Sequence, residues 1–138
     1  MAEVRDSPHA WVAEHIRRFE ETGGRPRPGM NDLLLTTRGR RTGTLRRTAL
    51  VYERDGEHYV VATSDRGADR HPAWYLNLLA DPAVTVQVGS QTFAARAHPA
   101  TAAERPRLWR SLVSAMPEYG VYQDQTAQEI PVVPLARV

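Results

Sequence analysis

Ala83-Val84-Thr85-Val86-Gln87-Val88-Gly89-Ser90-Gln91-Thr92-Phe93-Ala94-Ala95-Arg96-Ala97-His98, residues 83–98, decides the fold class. Val84, Val86 and Val88 alternate with Thr85 and Gln87, the period-two pattern of a strand with one buried face. Gly89-Ser90 supplies a tight turn, and Gln91 to His98 returns as the partner strand of a hairpin. Strands joined by hairpins build an antiparallel sheet, because a parallel pair needs a long crossover connection.

The same grammar continues upstream. Asp55-Gly56 is a second hairpin signal, between a strand from about Arg46 to Glu53 and another from His58 to Thr63. A strand from Leu33 to Thr37 and a polar turn through Gly39 to Gly43 precede them. Ser7 as N-cap and Pro8 at the first helical position open a front helix whose apolar stripe is Val12, Ile16 and Phe19, and Gly23-Gly24 stop it. A short helix opens at Pro72 and closes near Asp81-Pro82.

Downstream, Thr101 and Glu104 form a capping box for a helix carrying Leu108, Trp109, Leu112 and Val113 on one side, ended by Pro117. A polar, tyrosine-bearing segment leads to a strand near Ile130 to Leu135, where Pro131 and Pro134 argue for an edge or bulged position. The order is helix, three strands, helix, two strands, helix, strand. It predicts an α+β, mainly β domain whose sheet is antiparallel and closed or nearly closed into a small barrel with helices outside. One domain spans 1–138, with a helix and linker over 1–30 and the barrel over 31–138.

A chain of 138 residues with 41% hydrophobic and 25% charged residues suits one soluble globular domain. No cysteine is present, which excludes disulfides, thiolate metal sites and a cysteine nucleophile. Met1 to Pro8 hold no apolar run, so neither a signal peptide nor a membrane-spanning helix is expected and the protein is placed in the cytoplasm. All 18 basic residues are arginine, which removes Schiff-base chemistry and a P-loop lysine. Arg38, Arg40, Arg41, Arg46 and Arg47 lie in a 20-residue stretch, Leu33 to Tyr52, that contains no acid. That stretch carries +5 of a net charge of +2, leaving −3 for the rest, so the basic character is local and implies an anionic ligand.

Two constellations can carry chemistry. In the first, Gly39 and Gly43 bracket a turn whose backbone N–H groups, arginines and threonine hydroxyls suit a phosphate or carboxylate, against the alternative of a solvated hairpin tip. In the second, Ala62 to Leu78, a strand gives way through Ser64, Asp65, Arg66, Gly67 and Ala68 to a helix at Pro72, where free N–H groups gather. Trp74 and Asn77 share a helical face there and can border a flat ligand, the alternative being a core Trp and a turn-capping Asn. Tyr119 and Tyr122 can place phenols over a pocket or pack against the barrel. The five histidines have no metal-ligand spacing, and the arginine patch lacks the interleaved aromatics of a nucleic-acid surface, so neither a metal nor a nucleic acid is expected.

Taken together, four blocks resemble the deazaflavin (coenzyme F420)-dependent nitroreductase family from about Leu33 to Val138. They are Leu34 to Thr37 with Gly39 to Gly43 and Arg46; Ala62 to Ser64 through Gly67 to Pro72, Trp74 and Asn77; Glu104-Arg105 with Leu108-Trp109; and Pro117, Tyr119, Tyr122-Gln123, Thr126 and Ile130 to Val133. The chain departs from the family pattern at Asp65-Arg66-Gly67, where a glycine pair is common, at Ala49 in place of a proline, and around Gln128 in place of an arginine.

The resemblance implies a split β-barrel, an antiparallel Greek-key barrel of about six strands with flanking helices. It also implies an oxidoreductase passing a hydride from the reduced coenzyme to a quinone, an enone or a nitro compound. Arg40, Arg41, Thr42 and Arg46 would meet the coenzyme's phosphate and polyglutamate tail. Ser64, Asp65, Arg66, Gly67, Ala68, Pro72, Trp74 and Asn77 would hold the ring and linker. Tyr119 and Tyr122 would border the substrate and supply a proton, since phenols stay protonated at neutral pH. The alternatives are an FMN-binding barrel reductase and a non-enzymatic carrier of the coenzyme or of a lipophilic ligand. Small-molecule acceptors are the expected partners of a monomer or homodimer. The front helix is read as packing on the barrel, with a peripheral membrane contact as the other use of its stripe.

Overall fold

The computed structural model describes residues 4–6, 10–25, 31–62, 71–127 and 129–138. In chain order these form β1 (Val4–Asp6), α1 (Ala10–Glu21), β2 (Asp32–Arg38), β3 (Leu45–Val51), β4 (Glu53–Asp55), β5 (His58–Ala62) and α2 (Ala73–Ala80). The chain continues through β6 (Ala83–Val88), β7 (Gln91–Ala97), α3 (Arg105–Ala115), α4 (Glu118–Gln125) and β8 (Val132–Arg137). All eight strands share one sheet, in the order β1-β3-β2-β6-β7-β8-β5-β4.

The Gly89-Ser90 hairpin forms as read; at Asp55-Gly56 the turn forms, but the strand read from about Arg46 to Glu53 breaks at Tyr52, so that β4 alone pairs with β5 while β3 pairs with β2. Gly89 and Gly56 take φ values of +58°, the left-handed conformation that a two-residue turn requires. Val86 stands opposite Phe93 across the first hairpin, and Asp55 opposite His58 across the second. The ladder also corrects the expected barrel. Two short strands, β1 and β4, bring the count to eight rather than six, and no described pair joins the two ends of the order.

The open ladder is nevertheless strongly curled. β3 and β4 stand six places apart in the strand order, roughly 29 Å in a flat sheet. A single residue, Tyr52, joins them, and its N–H donates to the Asn31 carbonyl at 3.0 Å. Only a sheet wrapped back on itself satisfies both facts. Its concave face holds the main core, with Leu33 and Leu35 of β2, Val61 of β5, Val84 and Val86 of β6, Phe93 of β7, and Val133 and Leu135 of β8. Tyr75 and Leu78 bring α2 into that core as a plug at one end.

Two further clusters lie on the convex face. Val12, Ile16 and Phe19 of α1 bury against Leu34 and Ala49, with exposures of 4% or less, at about 2 kcal/mol for each side chain. The stripe is therefore spent on the sheet and is not available to a membrane; Trp11 remains exposed. Ser7 and Pro8, read as the helix start, lie outside the described residues. Leu108 and Leu112 of α3 and Tyr119 of α4 pack on Val60, Ala62 and Val132. The capping box is reciprocal: the Thr101 N–H donates to Glu104 Oε1 at 2.9 Å and the Glu104 N–H to Thr101 Oγ1 at 3.2 Å.

Two expectations are corrected here. The tyrosine-bearing segment is a helix, α4, started by Pro117. The last strand is not an edge, since β8 lies between β5 and β7. Pro134 is tolerated because it stands one place beyond the Ala97–Leu135 pair that ends the β7 ladder, and its carbonyl accepts the His98 N–H at 3.2 Å. Among the described residues no helix is long and apolar enough to cross a membrane.

Candidate functional site

The acid-free stretch folds into β2, a tight turn and β3, and the structure sorts its five arginines. Arg47 points to the convex face, where its Nε donates to Asp6 Oδ1 at 2.7 Å and its Nη2 to Glu20 Oε1 at 2.6 Å. The hydrogen bond to Asp6, aided by the charges of Asp6 and Glu20, holds the Arg47 pKa above the ordinary arginine value against partial burial. Arg38 folds back on the turn, donating to the Gly43 carbonyl at 3.1 Å and standing 3.8 Å from Asp81. Arg41 and Arg46 are exposed, and no described carboxylate pairs with either.

The turn itself is closed on its own backbone. Gly39 N–H donates to the Thr44 carbonyl, Gly43 N–H to the Gly39 carbonyl, both at 2.8 Å, and Thr44 N–H to Thr42 Oγ1 at 3.2 Å. These bonds engage the N–H groups of Gly39, Gly43 and Thr44, which leaves fewer backbone donors for an anion than the two glycines suggest. Gly43 is required at this point, because its φ of +73° closes the turn.

Asn77 binds this turn to α2. Its Oδ1 accepts the Arg40 N–H at 3.1 Å and Arg40 Nη1 at 3.4 Å, while its Nδ2 donates to Thr37 Oγ1 at 3.2 Å. Asn77 and Thr37 are buried, 5% and 1% exposed, so these bonds satisfy groups that water does not reach. Thr37 faces Arg46 across the β2–β3 ladder, on the concave face that also carries Leu33 and Leu35. Asn77, Thr37, Arg40 and Arg46 thus converge on one rim of the curled sheet.

Trp74, half-buried, packs beside that rim against the main core. Pro72 is the N-cap of α2, and its carbonyl accepts the Tyr75 N–H at 3.1 Å. Burial pushes the Tyr75 phenol above its ordinary pKa, as expected for a ring sunk into the core. Ser64, Asp65, Arg66, Gly67 and Ala68 lie outside the described residues, as does Gln128.

Tyr119 and Tyr122 do not join this rim cluster. They belong to the convex-face core, where the Tyr119 ring stands 6.3 Å from Trp109 and 6.4 Å from Tyr122, beside Ala62 at the end of β5. Two side chains fix the segment that follows α4: Arg105 Nη2 donates to the Ile130 carbonyl at 2.7 Å, and the Ile130 N–H donates to Gln123 Oε1 at 2.8 Å. The Asn77–Thr37 bond and this double latch on Ile130 are features that residue-by-residue reading passed over. Parity alone identifies Thr37, two residues beyond Leu35 on the same strand face; the latch spans 25 residues and has no local signal.

Two histidines pair with carboxylates, His15 with Asp32 at 3.4 Å and His98 with Glu104 at 3.3 Å. Among the described residues no three His, Asp or Glu groups converge as a metal site.

Comparison with known proteins adds an independent line. Residues 10–136 match the family model described as F420H(2)-dependent quinone reductase. The F420H(2)-dependent quinone reductase Rv1261c of Mycobacterium tuberculosis strain H37Rv is 40% identical over 108 residues, covering 76% of this chain and 72% of that protein. Among solved structures, an F420-H2 dependent reductase, FDR-A, is similar with a TM-score of 0.71 and 33% identity, covering 76% of this chain and 93% of that one. A second, described as a domain-swapped dimer, has a TM-score of 0.73 and 33% identity, covering 94% of this chain and 99% of that one.

Proposed function

This chain belongs to the F420H(2)-dependent quinone reductase family, and on that premise we propose that it binds coenzyme F420 across the α2 rim and reduces quinones with it. The observation that carries the reading is the rim itself. Arg41 and Arg46 present cations without a described carboxylate partner, next to a buried Asn77–Thr37 pair and the half-buried Trp74 indole. That donor set fits the coenzyme, whose appendage is anionic and whose ring is flat and apolar on its faces.

When bound, the reduced coenzyme supplies a hydride, the two-electron reductant that a quinone accepts. Arg41 and Arg46 hold the anionic appendage, and Arg40 contributes through its remaining donors. Asn77 acts through Arg40 and Thr37 as a positioning residue, since its oxygen and one amide hydrogen are already engaged. Thr42 offers its hydroxyl hydrogen, its oxygen being used by Thr44. Trp74 borders the ring, Pro72 sets the start of its helix, and Ser64, Asp65, Arg66, Gly67 and Ala68 complete the ring and linker contacts. Tyr119 and Tyr122 border the acceptor and return a proton to the reduced oxygen, consistent with their place beside Ala62, where the 63–70 segment begins. Enones and nitro compounds fit the same electron-poor acceptor class.

The test is turnover with reduced F420 and menadione, alongside a binding titration. Reduction of menadione is expected, with the coenzyme bound at micromolar concentration; absence of binding at tens of micromolar ends the reading. Arg41→Ala and Arg46→Ala should each weaken coenzyme binding about tenfold, the scale of a charge-assisted hydrogen bond. The relative described as a domain-swapped dimer supports a homodimer for this chain as well, which light scattering reads directly.

A further inference from the structure

α4 is held by very little of its own. Of its eight residues only Tyr119 is buried, and no side chain caps its start. One ring fixes neither the tilt of a short helix nor its rotation, so the place of α4 is set by what flanks it. On one side stands α3, where a Cβ on Gly120 would lie 3.7 Å from Val113 Cγ1. On the other stands the segment at 129–130 that leads into β8. Arg105, the first residue of α3, joins the two.

The Arg105 guanidinium is used on its edge and on its face. At the edge, Nη2 donates to the Ile130 carbonyl at 2.7 Å, while Nε lies 3.1 Å from Glu129 Oε1, a contact of opposite charges without hydrogen-bond alignment. Against the face lies Trp109, with Cζ 5.1 Å from the centre of the indole ring, within cation–π range. Ile130 is 3% exposed, so its backbone groups need protein partners. Its N–H goes to Gln123 Oε1 of α4 at 2.8 Å. One buried residue is thereby clamped by a side chain from each helix. From the guanidinium an aromatic row runs through Trp109 and Tyr119 to Tyr122, with ring centres 6.3 Å and 6.4 Å apart.

We infer that Arg105 is a positioning residue for the quinone: it sets where Tyr119 and Tyr122 stand, through Trp109 on one side and the Ile130–Gln123 clamp on the other, and touches neither acceptor nor coenzyme. The inference rests on the reading above of the two tyrosines as the acceptor's border. Lysine replaces Arg105 only in part, because an ammonium is a point donor with no flat face to lay on the indole. Glu129, its side chain 72% exposed, balances the charge without constraining the clamp, since water competes for its carboxylate.

The test is steady-state reduction of menadione by the full-length protein at saturating reduced F420, with the Kd of the coenzyme measured alongside. Arg105→Met should raise the KM for menadione about fivefold, the scale of the hydrogen bond lost, with kcat held within about twofold and the coenzyme Kd unchanged. Arg105→Lys should recover part of that loss, and Glu129→Gln should match wild type. Gln123→Leu opens the same clamp from α4. It should raise KM as Arg105→Met does, and the double variant should add little to either, because both act through Ile130. A role confined to stability gives the opposite pattern, a lower urea midpoint with KM at the wild-type value; Arg105→Lys and Gln123→Leu decide this even if Arg105→Met does not fold. That pattern, or a rise in coenzyme Kd equal to the rise in KM, overturns the inference and leaves the tyrosines as the acceptor's border. Wild-type protein that binds the coenzyme but leaves menadione unreduced, or that binds no coenzyme, overturns both.

Discussion

Asn77 is the residue on which the rim turns. Its amide accepts twice from Arg40 and donates once to Thr37, and Asn77 and Thr37 themselves are closed to water. Asn77→Ala would leave the Thr37 hydroxyl and the Arg40 N–H without partners, a loss of about 1–3 kcal/mol read by urea unfolding. Asn77→Asp keeps both acceptor bonds, and the Thr37 hydroxyl can reverse to donate, so the fold should lose less. It also sets a negative charge among the cations, and coenzyme affinity should fall about tenfold, as roughly 1.4 kcal/mol of repulsion would produce. If Asn77→Asp binds the coenzyme as tightly as wild type, the anionic part of the ligand does not lie on this rim. The sequence marked Asn77 through its spacing from Trp74, as a neighbour of the ligand. Its real partners lie 37 and 40 residues upstream, and no local pattern encodes a contact across that separation.

Among the elements, those with a local physical signature were legible and those built by tertiary contact were not. The Thr101–Glu104 box, the stripe of α1, the β6–β7 hairpin and the Asp55-Gly56 turn need only neighbours in sequence, and each forms where it was read. α4 carries almost no apolar periodicity and contains Gly120, so nothing local marks it; it is helical because Tyr119 finds a place on β5 and β8. The C-terminus of α1 shows how a legible stop signal hides a further demand. Gly23 and Gly24 both take positive φ, +66° and +91°, yet a Cβ on Gly23 would meet nothing while one on Gly24 would lie 2.4 Å from Gly89 Cα. Gly23→Ala should therefore cost about 1–2 kcal/mol, the left-handed backbone penalty alone. Gly24→Ala must also push the β6–β7 hairpin away from the helix, and its cost should exceed about 3 kcal/mol. Chemical denaturation of the two variants separates these amounts; equal losses would mean that the contact between α1 and the hairpin carries no constraint.

At the scale of the whole molecule, the curl of the sheet and the division of charge are one design. Because β3 runs through Tyr52 into β4, the concave face closes around an apolar core, with Thr37 and Arg46 at its rim. Arg47, on the convex face, is consumed in tying β1 and α1 to the sheet, whereas Arg41 and Arg46 stay at the rim. A net charge of +2 conceals this arrangement, which strand alternation creates from adjacent arginines. Salt separates the two populations. Screening shortens from about 10 Å at 0.1 M to about 3 Å at 1 M, and it acts on exposed charges far more than on a core of apolar contacts. Raising the salt over that range should weaken coenzyme binding at least severalfold, and Arg46→Ala should make the dependence shallower. The thermal midpoint should move little, since the described ion pairs are largely exposed and contribute little to stability. A midpoint that fell steeply while coenzyme affinity stayed constant would mean the reverse division, with the arginines holding the fold and the ligand held by its ring alone.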